Sequence, residues 1–360
     1  MDLDNPGFQL LNAVFTIVLL SGFGVFLALA YVGERVNAVR WVVVLVLAAM
    51  LGLLGLVGAP LALLGGLGTW QPDGAAMRGV ADSLRQAGLD PGPVIYGWLL
   101  QAGGAMLAAA VAGALLLVPA VRRALARLIP IDPDRLVHVV ALHYGLYLVV
   151  LSVATLVAIQ AAIQSPEDLA ALGAGTTLAT LWAQAIGFVV IGVLGVGLGT
   201  RRNAAETLAR LGLERRIDWR WCLGVVAVGL GCGLATDQLW EMTSPDTLKT
   251  VERLTEALFG PLLKTGLAGA VTIGVSAGIG EEILFRGAAQ PRLGLPLTAL
   301  LFAAVHTQYS LSPALIQVLV LGVVLGLARQ RANTTTAVAA HAIYNFTLAA
   351  LAIYAPEWAP

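Results

Sequence analysis

Apolar stretches of about 20 residues recur along the whole 360-residue chain, and that length is what an α-helix needs to cross the hydrocarbon core of a bilayer. Ten runs can be read, at roughly 9–32, 41–66, 94–118, 137–163, 174–199, 221–242, 263–290, 296–310, 313–329 and 334–354, of which the eighth and ninth are short. Composition agrees: 58% of residues are hydrophobic and 12% charged, against about 45–50% and about 25% in a soluble domain. The expected fold is all-α, a polytopic transmembrane helical bundle of about ten helices. The first run does not have the pattern of a signal peptide. It starts acidic (Asp2, Asp4), is too long, and has no small-residue cleavage site before Glu34.

The net charge is zero, so bulk charge points to no nucleic-acid partner, and the distribution of charge is more informative. If the N-terminus lies outside and the loops alternate, 16 of the 21 basic residues fall in inner loops and 5 in outer ones. That split fits ten spans with both termini outside. The most basic inner stretch, 200–220, contains a segment from Asn203 to Leu213 that could form a short surface helix beside anionic headgroups. The longest outer stretch is 67–93. Cys222 and Cys232, ten residues apart in one run, would lie about 15 Å apart along a helix. They cannot bridge each other and read as small apolar filler. The excess of arginine over lysine, with many Ala and Gly, suggests a GC-rich bacterial genome and hence the bacterial inner (plasma) membrane.

A natural division falls near residue 245. Residues 1–245 form a six-helix membrane region of unknown role. Residues 246–360 hold nearly all the unusual intramembrane polar groups: Glu281, Glu282, Arg286, His306, His341 and Asn345. Ionisable groups there cost a few kcal/mol each and call for a reason. Glu282 and Arg286, in the stretch GEEILFRG, are four residues apart and can pair on one helix face. Glu281 is turned about 100° away and lacks that partner. Phe302 and His306 share the same four-residue spacing on the next run, and His341 and Asn345 share it on the last. Counted from the helix ends at the inner face, the polar groups lie about 10–16 Å deep at about 1.5 Å per residue. This places one constellation in a cavity open to the cytoplasm. His138 and His143, by contrast, are five apart and diverge around their helix, which suits structural or interfacial roles. Asp237 and Glu241 flank Trp240 at the outer end of the sixth run and read as an interface boundary.

A carboxylate can take a proton from water, and a neutral imidazole can orient that water or relay the proton. A second histidine and an amide can donate to a developing oxyanion. Such a set suffices for amide hydrolysis without a serine or cysteine nucleophile. Two histidines and a carboxylate are also a zinc set, and no His-Glu-x-x-His stretch is present. The cofactor expectation is therefore either none or one divalent metal, zinc among the candidates. Spacing does not choose between them.

GEEILFRG, FAAVH and HAIYN, in that order, resemble the three signatures of the CPBP family, which contains the type II CAAX prenyl endopeptidases and bacterial homologues linked to bacteriocin processing. The resemblance covers about 261–354 and implies a four-helix catalytic core. By that resemblance Glu281 is the general base, His306 helps activate the water, and His341 and Asn345 form the oxyanion site. Glu282, Arg286 and Phe302 shape the site. Many relatives carry proline before the paired glutamates; here the stretch is SAGIGEE, whose Gly278 and Gly280 could supply helix irregularity instead. The implied activity is intramembrane endoproteolysis of a membrane-associated peptide or protein. The alternative is a catalytically silent relative acting in immunity, as a scaffold or in transport.

The charge distribution yields a prediction. A cysteine introduced into the 200–220 loop should resist a membrane-impermeant thiol reagent in intact cells; labelling there would overturn the topology.

Overall fold

The computed structural model describes residues 5–72, 74–86, 92–162, 176–309 and 312–355, so Asp2 and Asp4 of the N-terminal expectation lie outside the described residues. Among the described residues the chain is helical, without β-strands. Among the described residues nine helices are long and apolar enough to cross a membrane.

The N-terminal part comprises α1 (Pro6–Gly33), α2 (Asn37–Trp70), α3 (Ala75–Gln86), α4 (Pro93–Leu117), the short α5 (Pro119–Leu125) and α6 (Leu136–Ala162). α3 lies within the 67–93 stretch, of which residues 73 and 87–91 are outside the described residues. α2 and α4 form a close pair, and α1 packs on α2 and α6. Arg135, just ahead of α6, donates from Nε to both carboxylate oxygens of Glu34, at 2.8 Å each, tying the end of α1 to the start of α6. His143 is buried, with its two ring nitrogens 2.7 and 3.1 Å from the carbonyl oxygens of Val139 and Gly113, a structural placement. Leu11, Phe15, Leu53 and Leu56 stand exposed on the outside of the helices, as side chains facing lipid do.

Then come α7 (Leu178–Gly195), α8 (Ala204–Leu211), α9 (Trp219–Thr243) and the amphipathic α10 (Pro245–Leu263). α8 is the short helix anticipated in the basic loop. Its start is set by a reciprocal cap: Asn203 Oδ1 accepts from Glu206 N–H, and Glu206 Oε2 accepts from Asn203 N–H. Arg210 on α8 donates to the carbonyls of Gly287 and Ala288 at 2.9 and 3.3 Å, so the loop helix clamps the segment that follows the paired glutamates.

The last region comprises α11 (Leu267–Glu282), a π-helical segment (Ile283–Ala289), α12 (Gln290–Leu293), α13 (Leu295–Ala304), a 3-10 turn (Thr307–Tyr309), α14 (Pro313–Arg331) and α15 (Thr334–Tyr354). Two helices that precede residue 245 pack directly on it: α7 lies on α11, and α9 lies on α14 and α15. Trp182 Nε1 donates to Thr272 Oγ1 across the α7–α11 contact at 3.2 Å.

The eighth apolar run behaves differently from the expectation. Its helix is ten residues long, about 15 Å, which is too short to cross the hydrocarbon core. It ends at Ala304, so His306 lies beyond the helix rather than on it. The stop has a local cause. His306 Nδ1 sits 2.7 Å from the Phe302 carbonyl oxygen and occupies one of the carbonyls that a helix end leaves open. Helix irregularity does occur near the paired glutamates, as a π segment just after them; the Gln290 N–H bonds the Phe285 carbonyl, five residues back.

Glycines in GVSAGIGEE set how closely α11 meets its neighbours. A Cβ on Gly274 would come within 2.6 Å of the Ala342 carbonyl oxygen, and one on Gly278 within 2.8 Å of Ala342 Cβ. On another face, a Cβ on Gly280 would lie 2.8 Å from Ala185 Cα of α7. Small residues thus let the backbones of α11 and α15 touch, as in small-xxx-small packing of membrane helices. We predict that Gly278→Ala lowers thermal stability in detergent by about 1–3 kcal/mol through overpacking. Gly224→Ala, where a Cβ meets nothing within 4 Å, should change it little. Equal unfolding temperatures for the two variants would contradict the close-approach account.

Candidate active site

The end of α11 carries two carboxylates that turn to different partners. Glu282 is fully buried, at 0% exposure. Its Oε2 lies 3.2 Å from Arg286 Nε, and its Oε1 lies 2.9 Å from His341 Nδ1. The pairing with Arg286 follows from the four-residue spacing. The bond to His341 joins α11 to α15 and has no signal in the sequence, because it depends on how the two helices approach.

Arg286 is itself 1% exposed and donates from its second terminal nitrogen to the Gly322 carbonyl of α14 at 3.2 Å. Its guanidinium carbon stands 4.1 Å from the centroid of the Phe302 ring, a close cation–π contact. Phe302 also meets His341 edge-on at 5.9 Å and His306 at 4.7 Å between centroids. One buried ring thus touches the arginine and both histidines.

Glu282 accepts from His341 Nδ1–H, which fixes the other nitrogen's role in the neutral ring. Nε2 then accepts from the Asn345 amide, 3.2 Å away. The second amide N–H of Asn345 remains for another acceptor.

Glu281 is separate from this network. Its Oε2 is buried without a hydrogen-bond partner in the protein and lies 4.0 Å from His306 Nε2. That distance is too long for a direct hydrogen bond and suits one bridging water. Because the Phe302 carbonyl accepts from Nδ1–H, the neutral His306 ring presents its Nε2 lone pair towards Glu281. Two acceptors facing one water position accept a hydrogen bond each and leave the water oxygen's lone pairs free to attack. Tyr309 stacks parallel to the His306 ring at 6.4 Å between centroids. Helical periodicity gives no hint of this residue, since α13 has already ended.

The structure therefore brings Glu281 towards His306, and Glu282, Arg286, His341 and Asn345 into a second, contiguous group, with Phe302 between them. Few of these side chains are free to ligate a metal. Both nitrogens of His341 are engaged, which leaves Glu281 and His306, and catalytic zinc usually takes three protein ligands. Among the described residues no three His, Cys, Asp or Glu side chains come together as a metal-binding group.

Residues 263–347 match the family model described as type II CAAX prenyl endopeptidase Rce1-like. Over this C-terminal region the chain is similar to that CAAX-protease-like family. The matched range contains all six residues of the two groups and Phe302 between them. No curated protein and no solved structure matches the chain. With nine helices among the described residues long and apolar enough to cross a membrane, the chain is an integral membrane protein whose C-terminal region is similar to CAAX-type intramembrane proteases.

The two carboxylates should respond differently to neutralisation. Glu282→Gln leaves Arg286 without its counter-charge and weakens the acceptor for His341, and breaking a buried pair in this way costs about 3–5 kcal/mol. Glu281→Gln breaks no ion pair of that kind and should leave thermal stability in detergent nearly unchanged. Equal destabilisation by both would contradict the division of roles.

Proposed function

We propose that the protein is an intramembrane endopeptidase in which Glu281 and His306 activate a water molecule. The observation that carries this reading is the 4.0 Å separation of Glu281 Oε2 from His306 Nε2, with both atoms presented as acceptors. The water donates a proton towards each. Its oxygen forms a bond to the substrate carbonyl carbon while Glu281 takes the proton. Glu281 then passes that proton to the leaving amide nitrogen as the C–N bond breaks.

The developing oxyanion is received by the free N–H of Asn345. His341, held by Glu282, orients that amide through Nε2. Arg286 holds Glu282 in place through Nε, and Glu282 holds His341 through Nδ1. No step requires a serine, a cysteine or a metal, and the donor set favours glutamate catalysis without zinc. The substrate is a membrane-associated peptide or protein, approaching from the cytoplasmic side or from the lipid. A bacterial inner membrane with the 200–220 loop on its cytoplasmic side is the location that fits the charge distribution.

The test is a comparison of membrane proteomes by mass spectrometry between cells carrying the wild type and cells carrying Glu281→Gln. At least one membrane protein should accumulate uncut in the variant, and its cleavage by purified wild-type protein should be abolished by Glu281→Gln and reduced at least about 100-fold by His306→Ala. Cleavage should persist after exhaustive chelation. Full activity in Glu281→Gln would remove the proposed base. One tightly bound zinc per chain, with activity lost on its removal and restored on its return, would overturn the metal-free mechanism.

A further inference from the structure

A cavity of about 270 Å3 lies between α1, α6, α7 and the π segment, on the side of that segment away from the paired glutamates. Its walls are apolar over most of their length, with Leu20, Phe23, Leu148, Leu151 and Phe188 among them. The lining on α6 runs from Arg135 to Leu151, about 24 Å at about 1.5 Å per residue. That is most of the roughly 30 Å hydrocarbon thickness. At the loop end the lining changes character: Arg135, Arg201, Arg202, Arg210 and Arg292 gather there, and the cavity lining contains no carboxylate.

These arginines differ in what already holds them. Arg135 is paired with Glu34. Arg202 donates to the Val196 carbonyl and Arg210 to the π segment. The side chains of Arg201 and Arg292 make neither an ion pair nor a hydrogen bond among the described residues. Burial, then the neighbouring Arg292 and Arg202, hold the Arg210 pKa down to about 10. Unbalanced cations at the mouth of a long apolar channel, level with the membrane surface, match one kind of occupant.

We propose that this cavity is a binding site for a membrane phospholipid with an anionic headgroup, its phosphate held by Arg201 and Arg292 and a hydrocarbon tail lying along α6. Charge complementarity selects the headgroup, and the apolar walls select the tail. Basic pockets between membrane helices on the cytoplasmic side are known to receive such headgroups. Because Leu284, Phe285, Ala288 and Ala289 of the π segment form part of the wall, the bound lipid would press on the back of the element that carries Arg286. The proposal does not rest on the protease reading.

The test uses the full chain in detergent, offered an equimolar mixture of phosphatidylglycerol and phosphatidylcholine with the same acyl chains and read by native mass spectrometry. Wild type should retain phosphatidylglycerol at least about tenfold over phosphatidylcholine. The Arg201→Gln/Arg292→Gln double variant should lose that preference. Ala141→Phe, which fills the cavity from α6, should lose retention of both lipids. The double variant alters surface charges that hold no other group, so it keeps the proposal testable if Ala141→Phe folds poorly. Phosphatidylglycerol retained unchanged by the double variant, or phosphatidylcholine held equally well by the wild type, overturns the proposal. Binding of a neutral farnesylated peptide that displaces the phospholipid and does not depend on the arginines would assign the cavity to a substrate tail and overturn it as well.

Discussion

A carboxylate with no access to water, shared between a guanidinium and an imidazole, organises the C-terminal half of this protein. Glu282 holds Arg286 through one oxygen and His341 through the other. Arg286 in turn reaches the Gly322 carbonyl. Three helices and the π segment are thereby locked around one buried charge pair. In a low-dielectric bundle such a group is tolerated only when paired and hydrogen-bonded throughout. The close contact of α11 with α15, made by Gly274 and Gly278, is what brings the Glu282 oxygen within 2.9 Å of His341. The helix irregularity, the glycine stripe and the short α13 all serve this meeting of polar groups.

The same network sets the two adjacent carboxylates apart. Glu282 is fully committed to holding its neighbours. Glu281 has an oxygen without a hydrogen-bond partner in the protein, 4.0 Å from His306 Nε2. Adjacent residues of the same type thus acquire different roles because a helix turns by about 100° per residue. The Phe302 ring insulates one group from the other: it covers Arg286 on one side and stands beside both histidines on the other.

The membrane region ahead of residue 245 is in direct contact with this core. α7 lies on α11, α9 lies on α14 and α15, and α8 reaches the π segment through Arg210. The 200–220 loop is therefore part of the scaffold that holds the C-terminal helices. Its arginines also line the lateral cavity, so one basic loop meets both that cavity and the π segment.

Helix content, the membrane setting, the α8 segment, the Glu282–Arg286 pair and the likeness of the last four runs to a protease-like family were legible in the sequence. Each depends on hydropathy over one helix length, on a four-residue spacing, or on ordered motifs, and these are local properties. The early end of α13, the π segment, the bond from Glu282 to His341 and the stacking of Tyr309 on His306 were not legible. They arise where helices meet, and periodicity within one segment carries no information about the distance to another. The shared depth of the polar groups could be counted from the helix ends. Which carboxylate faces which histidine was decided only by tertiary packing, because backbone contact at Gly278 sets the approach and rotation of α11 against α15.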